Sequence, residues 1–394
     1  MAFDVYSERG TPLEKQWRNF PQIVGKPYDK DSVDAYTRAR IIWMYGTETE
    51  QWYFHHNYAR STDSDEIKRA ITEIRRAEDQ QRSALTYFFD PTSSVLEITL
   101  GYEQLAVDLT AALAKDEPDE YVKQTLDFAL IEDFDHLFRY SVLMSRIEPD
   151  KDPAQIVRHK TDIKPGRPTA EEHRHPLDTL RKHISAKTAD PISIVHILSI
   201  VAPEQQVRQY YMSQGYFNTN EEARRLYAEI GEIEEQHVTQ YEALMDPTLS
   251  MLEMAFIHEY NEAYDYYSCL QMETDQRFKS FWERELAEEV EHIRIVGDLL
   301  KKIEHEDPQQ LMPGKLPKPV MIQSAKDYVN NIIQTQRDLR PFDKQYMPKD
   351  RLPRDWPSYE YLRVIDAANA PSTHFEQFGG GGMQTGQRGP EFRM

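Results

Sequence analysis

The chain has 394 residues, and its 67 acidic and 47 basic side chains give a formal net charge of -20. This balance argues against nucleic acid or an anionic membrane surface as the main partner, because both require clustered Lys and Arg. The single cysteine, Cys269, excludes an internal disulfide and an iron–sulfur cluster held by four thiolates of this chain. With no secretory signal features near Met1 and no apolar run of about 18 residues, we expect a cytoplasmic protein without membrane contact.

Only 15 residues are Gly, and long stretches lack both Gly and Pro, which predicts an all-α fold. In chain order the predicted segments are an N-terminal arm (1–31), a four-helix unit (32–147), a crossing segment (148–187), a second four-helix unit (188–305), and a C-terminal arm with a mobile tail (306–394). The predicted helices span 33–59, 64–89, 92–116, 119–147, 190–214, 220–245, 248–273 and 275–304, with a further helix near 322–338.

An internal repeat at a constant offset of 156 relates the two four-helix units. The segment Asp90-Pro91-Thr92 recurs as Asp246-Pro247-Thr248, and the register holds without a gap. Between residues 66 and 103 there are 13 identities in 38 positions, where unrelated sequences would give roughly 2 to 3. The sequence therefore predicts a duplicated helical unit.

The second repeat contains Glu and His at spacings that suit a pair of metal ions inside a helical bundle. A Glu and a His three residues apart lie on one face of a helix, so Glu-x-x-His directs a carboxylate and an imidazole to the same point. Two such motifs and two single Glu, one from each helix, would complete a dimetal site. Glu288 also precedes His292, but only Glu289 has the three-residue spacing. The predicted ligands are Glu204, Glu234, His237, Glu259, Glu289 and His292.

This order of residues resembles the ferritin-like dimetal carboxylate superfamily, whose pattern is Glu, Glu-x-x-His, Glu, Glu-x-x-His over four helices. The resemblance implies two tandem ferritin-like bundles, with two iron ions, or iron and manganese, in the second. It also implies that Glu234 and Glu289 bridge the metals. Glu262 follows Glu259 as in the doubled carboxylate of rubrerythrin-type proteins, which makes Glu262 a candidate seventh ligand.

The first repeat departs from the pattern at two positions. It has Gln81 where a His is expected and Asp133 where a Glu is expected. Two alternatives stay open, a weaker metal site or a decayed copy that serves only the structure. The residues of this degenerate second site are Glu48, Glu78, Gln81, Glu103, Asp133 and His136.

The resemblance implies an oxidoreductase that uses dioxygen or peroxide as a small-molecule oxidant, with an unidentified substrate. No electron-donor module is recognisable in the chain, so we expect an external donor or a reducing substrate, and a homodimer is an open expectation. The alternative is a non-catalytic ferritin-like protein that binds or stores iron, or that uses the metal as a structural element.

Overall fold

A computed structural model describes residues 3–164, 183–336, 339–342, 345–348, 353–355 and 360. The described chain is helical apart from one short antiparallel hairpin, β1 (Leu339–Phe342) with β2 (Gln345–Pro348), so the all-α prediction is confirmed. The mobile tail predicted for the last residues lies outside the described residues, as does part of the crossing segment, residues 165–182. None of the described helices combines the length and apolarity that crossing a membrane would require.

Eight long helices form the body of the protein, and their ends lie within three residues of the predicted bounds, with one exception. The α-helical part of the eighth helix ends earlier than predicted, at Leu299. They are α1 (Ala35–Ser61), α2 (Asp65–Tyr87), α3 (Val95–Asp116), α4 (Glu120–Ile147), α5 (Pro191–Gly215), α6 (Glu221–Glu242), α7 (Met251–Met272) and α8 (Gln276–Leu299). One turn of π-helix (Leu300–Glu304) extends α8, and α9 (Lys326–Gln336) accounts for the helix predicted in the C-terminal arm.

Side-chain caps explain why these helices begin where they do. Ser94 caps α3 in a capping box with the residue three positions on, and Ser250 caps α7 in the same way. Each serine accepts a hydrogen bond from a backbone N–H that the helix leaves unpaired. The first residues of α5 to α8 follow those of α1 to α4 by 156 residues in every case. Equivalent helices of the two sequence repeats therefore begin at equivalent residues.

The helices pack in two closed rings of four, and each ring takes one helical hairpin from each repeat. In bundle A, α1 contacts α7 and α2 contacts α8; in bundle B, α3 contacts α5 and α4 contacts α6. The predicted units 32–147 and 188–305 thus delimit the sequence repeats but not the bundles. Apolar periodicity identifies the buried face of a helix, whereas it does not identify which hairpin covers that face.

Helices α1 and α5 join the two bundles along their length. Trp43 donates its indole N–H to the carbonyl of Ser199 at 3.1 Å, and Tyr53 donates its hydroxyl to Gln209 at 3.2 Å. Each bond joins positions that are equivalent in the two repeats. Because the bonds are ten residues apart, α1 and α5 run side by side in the same direction over about 15 Å.

Pro203, which directly precedes the predicted ligand Glu204, lies inside α5 and not at a helix start. The opposite helix has Gly46 at this level, and a Cβ added there would lie 2.8 Å from Cα of Pro203. The absence of a side chain at Gly46 therefore permits the close approach of α1 to α5.

We predict that Gly46→Ala destabilises the protein by about 1–3 kcal/mol, because the added methyl group overpacks the α1–α5 contact. Chemical unfolding followed by circular dichroism would measure the change. Gly231→Ala is the matched control, since an added Cβ there meets its nearest neighbour at 3.7 Å and favours the helix. Equal stability of the Gly46→Ala variant and the wild type would contradict the tight α1–α5 packing.

Candidate metal centre

Bundle B encloses a buried group of carboxylates and imidazoles, here called cluster B, to which all four of its helices contribute. Helices α3 and α4 come from the first repeat, and α5 and α6 from the second. Its six members occupy the order Glu, Asp-x-x-His, Glu, Glu-x-x-His along the chain. They are Glu103, Asp133, His136, Glu204, Glu234 and His237.

Glu234 lies between the two imidazoles of cluster B. Its Oε1 is 3.0 Å from Nδ1 of His136, and its Oε2 is 3.2 Å from Nδ1 of His237. Two sets of potential ligand atoms, each with all atoms within 4.8 Å of one another, share this carboxylate: Glu103–His136–Glu234 and Asp133–Glu204–Glu234–His237. The cluster therefore offers two adjacent positions for metal ions with one carboxylate common to both.

Several polar atoms of cluster B have no hydrogen-bond partner among the described residues. They include both carboxylate oxygens of Glu204 and Nε2 of His136. Such groups are uncommon in native interiors, because an unpaired buried donor or acceptor costs free energy. His237 directs Nδ1 into the cluster, while its Nε2 donates to Glu132 at 2.8 Å outside it. A carboxylate on the outer nitrogen commonly orients a metal-binding imidazole.

Mutual repulsion among these carboxylates favours their protonated forms. Burial, reinforced by the charge of Glu234, raises the pKa of Glu204 to about 8. Burial and the charge of Glu204 likewise raise the pKa of Asp133. Burial and the nearby His237 lower the pKa of His136, which keeps this imidazole neutral. A divalent cation would replace the protons as the neutralising charge, so the donor set fits metal ions.

Bundle A encloses a second buried group, cluster A, at the equivalent level. Here Glu259 is the shared carboxylate: its Oε1 is 3.1 Å from Nε2 of His55, and its Oε2 is 3.5 Å from Nδ1 of His292. The two sets of ligand atoms are His55–Glu78–Glu259 and Glu259–Glu289–His292. The buried members of cluster A are Glu48, His55, Glu78, Gln81, Glu259, Glu262, Glu289 and His292.

His55 provides the second imidazole that the sequence pattern lacks at Gln81. Burial alone would lower the pKa of His55, but the charge of Glu78 and hydrogen bonds to Glu259 and Glu78 raise it to about 10. Gln81 instead donates its side-chain amide to Glu289 at 2.7 Å. Cluster A thus contains a protonated imidazole between two carboxylates at the position where cluster B has Tyr211.

The N-terminal arm supports cluster A from outside. Nε2 of His292 donates to the side-chain oxygen of Gln16 at 2.9 Å. Arg18 binds Glu285 at 2.5 Å and Glu288 at 2.7 Å, and all three side chains are buried. Glu288 pairs with Arg18, whereas Glu289 faces the interior of cluster A, where its Oε2 lies 2.9 Å from Nδ1 of His292.

The structure separates the six residues that were predicted to form one site within 188–305. Glu204, Glu234 and His237 lie in cluster B, whereas Glu259, Glu289 and His292 lie in cluster A. The cause is the exchange of hairpins between repeats, which directs α5–α6 and α7–α8 into different bundles. Residues assigned to the degenerate copy complete both sets. Glu262 lies in cluster A with both side-chain oxygens unpaired among the described residues, as a candidate ligand would.

Sequence reasoning missed His55, although a signal was present. His55 follows Glu48 by seven residues, which is two helical turns and hence the same face of α1. At the equivalent spacing in the second repeat, Tyr211 follows Glu204 and donates its hydroxyl to Glu103. A search for Glu and His seven residues apart would have found this imidazole.

Fold and site together define an all-α protein with two four-helix bundles, each enclosing Asp, Glu or His side chains that can hold metal ions. Comparisons of the chain with protein-family models, with curated proteins and with solved structures find no match. The residues of the two clusters are therefore the basis for assigning a function.

We predict that Glu204→Gln flattens the pH dependence of stability of the metal-free protein. The pKa of Glu204 is about 8 in the folded chain and lower when unfolded, so this group loses stabilising free energy as pH rises from about 4.5 to 8. Thermal unfolding with a chelator present, at pH 5 and pH 8, would measure this effect. The variant should gain stability relative to wild type with rising pH. A constant difference at both pH values would contradict the raised pKa.

Proposed function

We propose that this protein is a dimetal carboxylate oxidoreductase of ferritin-like type that uses dioxygen or peroxide. Two iron ions, or iron with manganese, occupy cluster B, and a second pair occupies cluster A. When bound, such a pair supplies electrons to the oxidant and Lewis acidity to the substrate. Each centre draws its ligands from both repeats, which replaces the sequence-based expectation of one complete and one degenerate centre.

The observation that supports this proposal is the shared carboxylate in each cluster. The two oxygens of Glu234 face different imidazoles, as a bridging carboxylate requires, and so do the two oxygens of Glu259. An ordinary buried ion pair would need only one such contact. Away from water the surrounding carboxylates interact more strongly with a divalent cation, and this interaction offsets the cost of removing the ion from water.

The chain's own residues hold and orient the centre. Glu132 fixes the ring of His237 through Nε2, which leaves Nδ1 for the metal. Gln16 does the same for His292. The hydroxyl of Tyr211 supplies a hydrogen bond to Glu103 and so restrains that carboxylate. These contacts reduce the reorganisation needed when metal binds.

A cavity of about 420 Å³ lies beside cluster A, between the N-terminal arm and α2. Gln16 lines this cavity and also accepts the hydrogen bond from His292. Trp17 and Arg76 lie on its wall, with the guanidinium 4.2 Å from the ring centre. The cavity is within the size range of small-molecule sites, so a substrate approaches cluster A here.

One observation favours a non-catalytic role for cluster A. The cationic ring of His55 between Glu78 and Glu259 neutralises that half of the cluster without a metal. Under this second hypothesis cluster A stabilises the bundle, and cluster B alone reacts with the oxidant. Measuring the metal content of each cluster separately distinguishes the two hypotheses.

We predict that the protein binds about four transition-metal ions per chain after anaerobic loading with Fe(II), two in each cluster. His136→Ala and His237→Ala should each remove about two ions, because both imidazoles belong to cluster B. His292→Ala should remove the other two, and the double variant His237→Ala/His292→Ala should lose all four. Inductively coupled plasma mass spectrometry of desalted protein measures these numbers, with His56→Ala as the control.

The outcomes distinguish the possible arrangements. If cluster A is purely structural, the wild type binds about two ions and His292→Ala loses none. If His237 and His292 shared one centre, the double variant would lose no more than either single variant. A wild type without stoichiometric metal would refute the whole proposal. If metal binds but the Fe(II) protein consumes neither dioxygen nor peroxide faster than free Fe(II), the oxidoreductase role is wrong.

A further inference from the structure

A small cavity far from the arm–α2 cavity concentrates positive charge in this acidic protein. Its volume is about 190 Å³, and it lies between the end of the N-terminal arm, the start of α3 and the segment after α4. Four cationic side chains line it: Lys30, Arg38, Lys151 and Arg158. They come from three separate parts of the chain, the N-terminal arm, α1 and the segment after α4, so the tertiary structure brings them together.

The carboxylates of this cavity do not balance its cations. Asp31 and Asp152 also line it, but both are exposed, so water screens their charge. Among the lining residues Glu97 lies nearest the cations, 3.1 Å from Nζ of Lys30 and 2.8 Å from Nζ of Lys151. Glu148, just outside the lining, lies 2.9 Å from Nζ of Lys151. The two lysines are therefore paired, and the excess positive charge of the cavity lies on its two arginines.

The two arginines have no carboxylate partner of their own in this cavity. Arg158 donates to the carbonyl of Lys30 at 2.7 Å, and Arg38 donates to Gln104 at 2.8 Å and to the carbonyl of Ile156 at 2.7 Å. Arg38 is only 7% exposed, and its Nε has no hydrogen-bond partner among the described residues. Burial and the charge of Arg158 lower the pKa of Arg38, so the two guanidiniums repel each other.

The second repeat indicates that the fold does not require these cations. The amide of Lys30 donates to Asp90 at 2.8 Å, and the amide of the equivalent Ala186 donates to Asp246 at 2.9 Å. The backbone is therefore the same with and without the lysine. Arg38 corresponds to Ile194 at the same offset.

The segment after α4 also has a counterpart in the second repeat that keeps the backbone but lacks the cations. Its short helix, Pro153–Ile156, corresponds to Pro308–Leu311 after α8, one residue short of the offset of 156. In this alignment Lys151 corresponds to Glu306 and Arg158 to Pro313. None of the four cations has a cationic counterpart, although the surrounding backbone is kept.

We propose that this cavity binds a small oxyanion carrying a phosphate group. Lysine ammonium groups and arginine guanidinium groups commonly donate hydrogen bonds to phosphate groups in proteins. A doubly charged anion would also reduce the repulsion between Arg38 and Arg158. The cavity is smaller than typical sites for larger organic ligands, so the ligand is inorganic phosphate or a phosphate on a small organic group. The site is independent of the metal clusters.

Isothermal titration calorimetry of the purified, metal-loaded protein tests this proposal with two probes, inorganic phosphate and glycerol phosphate. Sodium chloride at equal ionic strength is the reference. We expect saturable binding of at least one probe, weakening with added salt. Tighter binding of glycerol phosphate would identify a phosphorylated metabolite as the ligand, and tighter binding of inorganic phosphate would identify the free ion.

Arg158→Gln and Lys151→Gln should each weaken binding about tenfold, because each removes a charged donor. Arg294→Gln, an exposed arginine outside the cavity, is the matched control and should bind as the wild type does. Circular dichroism and metal content should remain unchanged in all three variants. The double variant His237→Ala/His292→Ala should still bind phosphate, which separates this site from the metal clusters.

No saturable binding of either probe by the wild type would overturn the proposal. Equal weakening by Arg158→Gln and Arg294→Gln would also overturn it, since the effect would then come from net charge alone. Loss of phosphate binding in the His237→Ala/His292→Ala variant would assign the anion to the metal clusters instead.

Discussion

Burial of many carboxylates inside two helical bundles is the constraint on which the rest of this structure depends. Removing an ionised carboxylate from water costs several kcal/mol unless other charges or hydrogen bonds compensate. The protein compensates in different ways at different places. Arg18 pairs with Glu285 and Glu288 beneath the N-terminal arm, His55 pairs with Glu78 in cluster A, and cluster B keeps unpaired ligand atoms that suit metal ions.

Exchange of hairpins makes the two halves of the chain interdependent. Neither repeat contains a complete ligand set in one bundle, because each bundle takes two helices from each repeat. The parallel contact of α1 with α5, with Gly46 against Pro203, holds the two bundles together at their centre. A change in either repeat therefore affects both clusters through the shared packing.

The repeats keep the same backbone but differ in polar side chains at equivalent positions. His55 corresponds to Tyr211, Gln81 to His237 and Asp133 to Glu289. Capping serines and the corner at Asp90 and Asp246 are retained, since helix starts and turns depend on them. Some side chains that face the clusters differ between the repeats, and so do the four cations of the cavity. The two repeats thus share one backbone arrangement, whereas the interiors of the two bundles differ in their polar side chains.

The sequence by itself determined the helices, their caps and the inward-facing Glu and His, because these depend on spacing within a single helix. It also determined the repeat, and through the repeat the level of each cluster residue along its bundle. Only the tertiary structure decided which hairpins pack together, and hence that Glu234 and Glu259 belong to different clusters. Equivalent helices of the two repeats have the same pattern of apolar residues, so this pattern does not determine which hairpin each one packs against. Contacts between residues more than 100 positions apart, such as that of His237 with Glu132, make that selection.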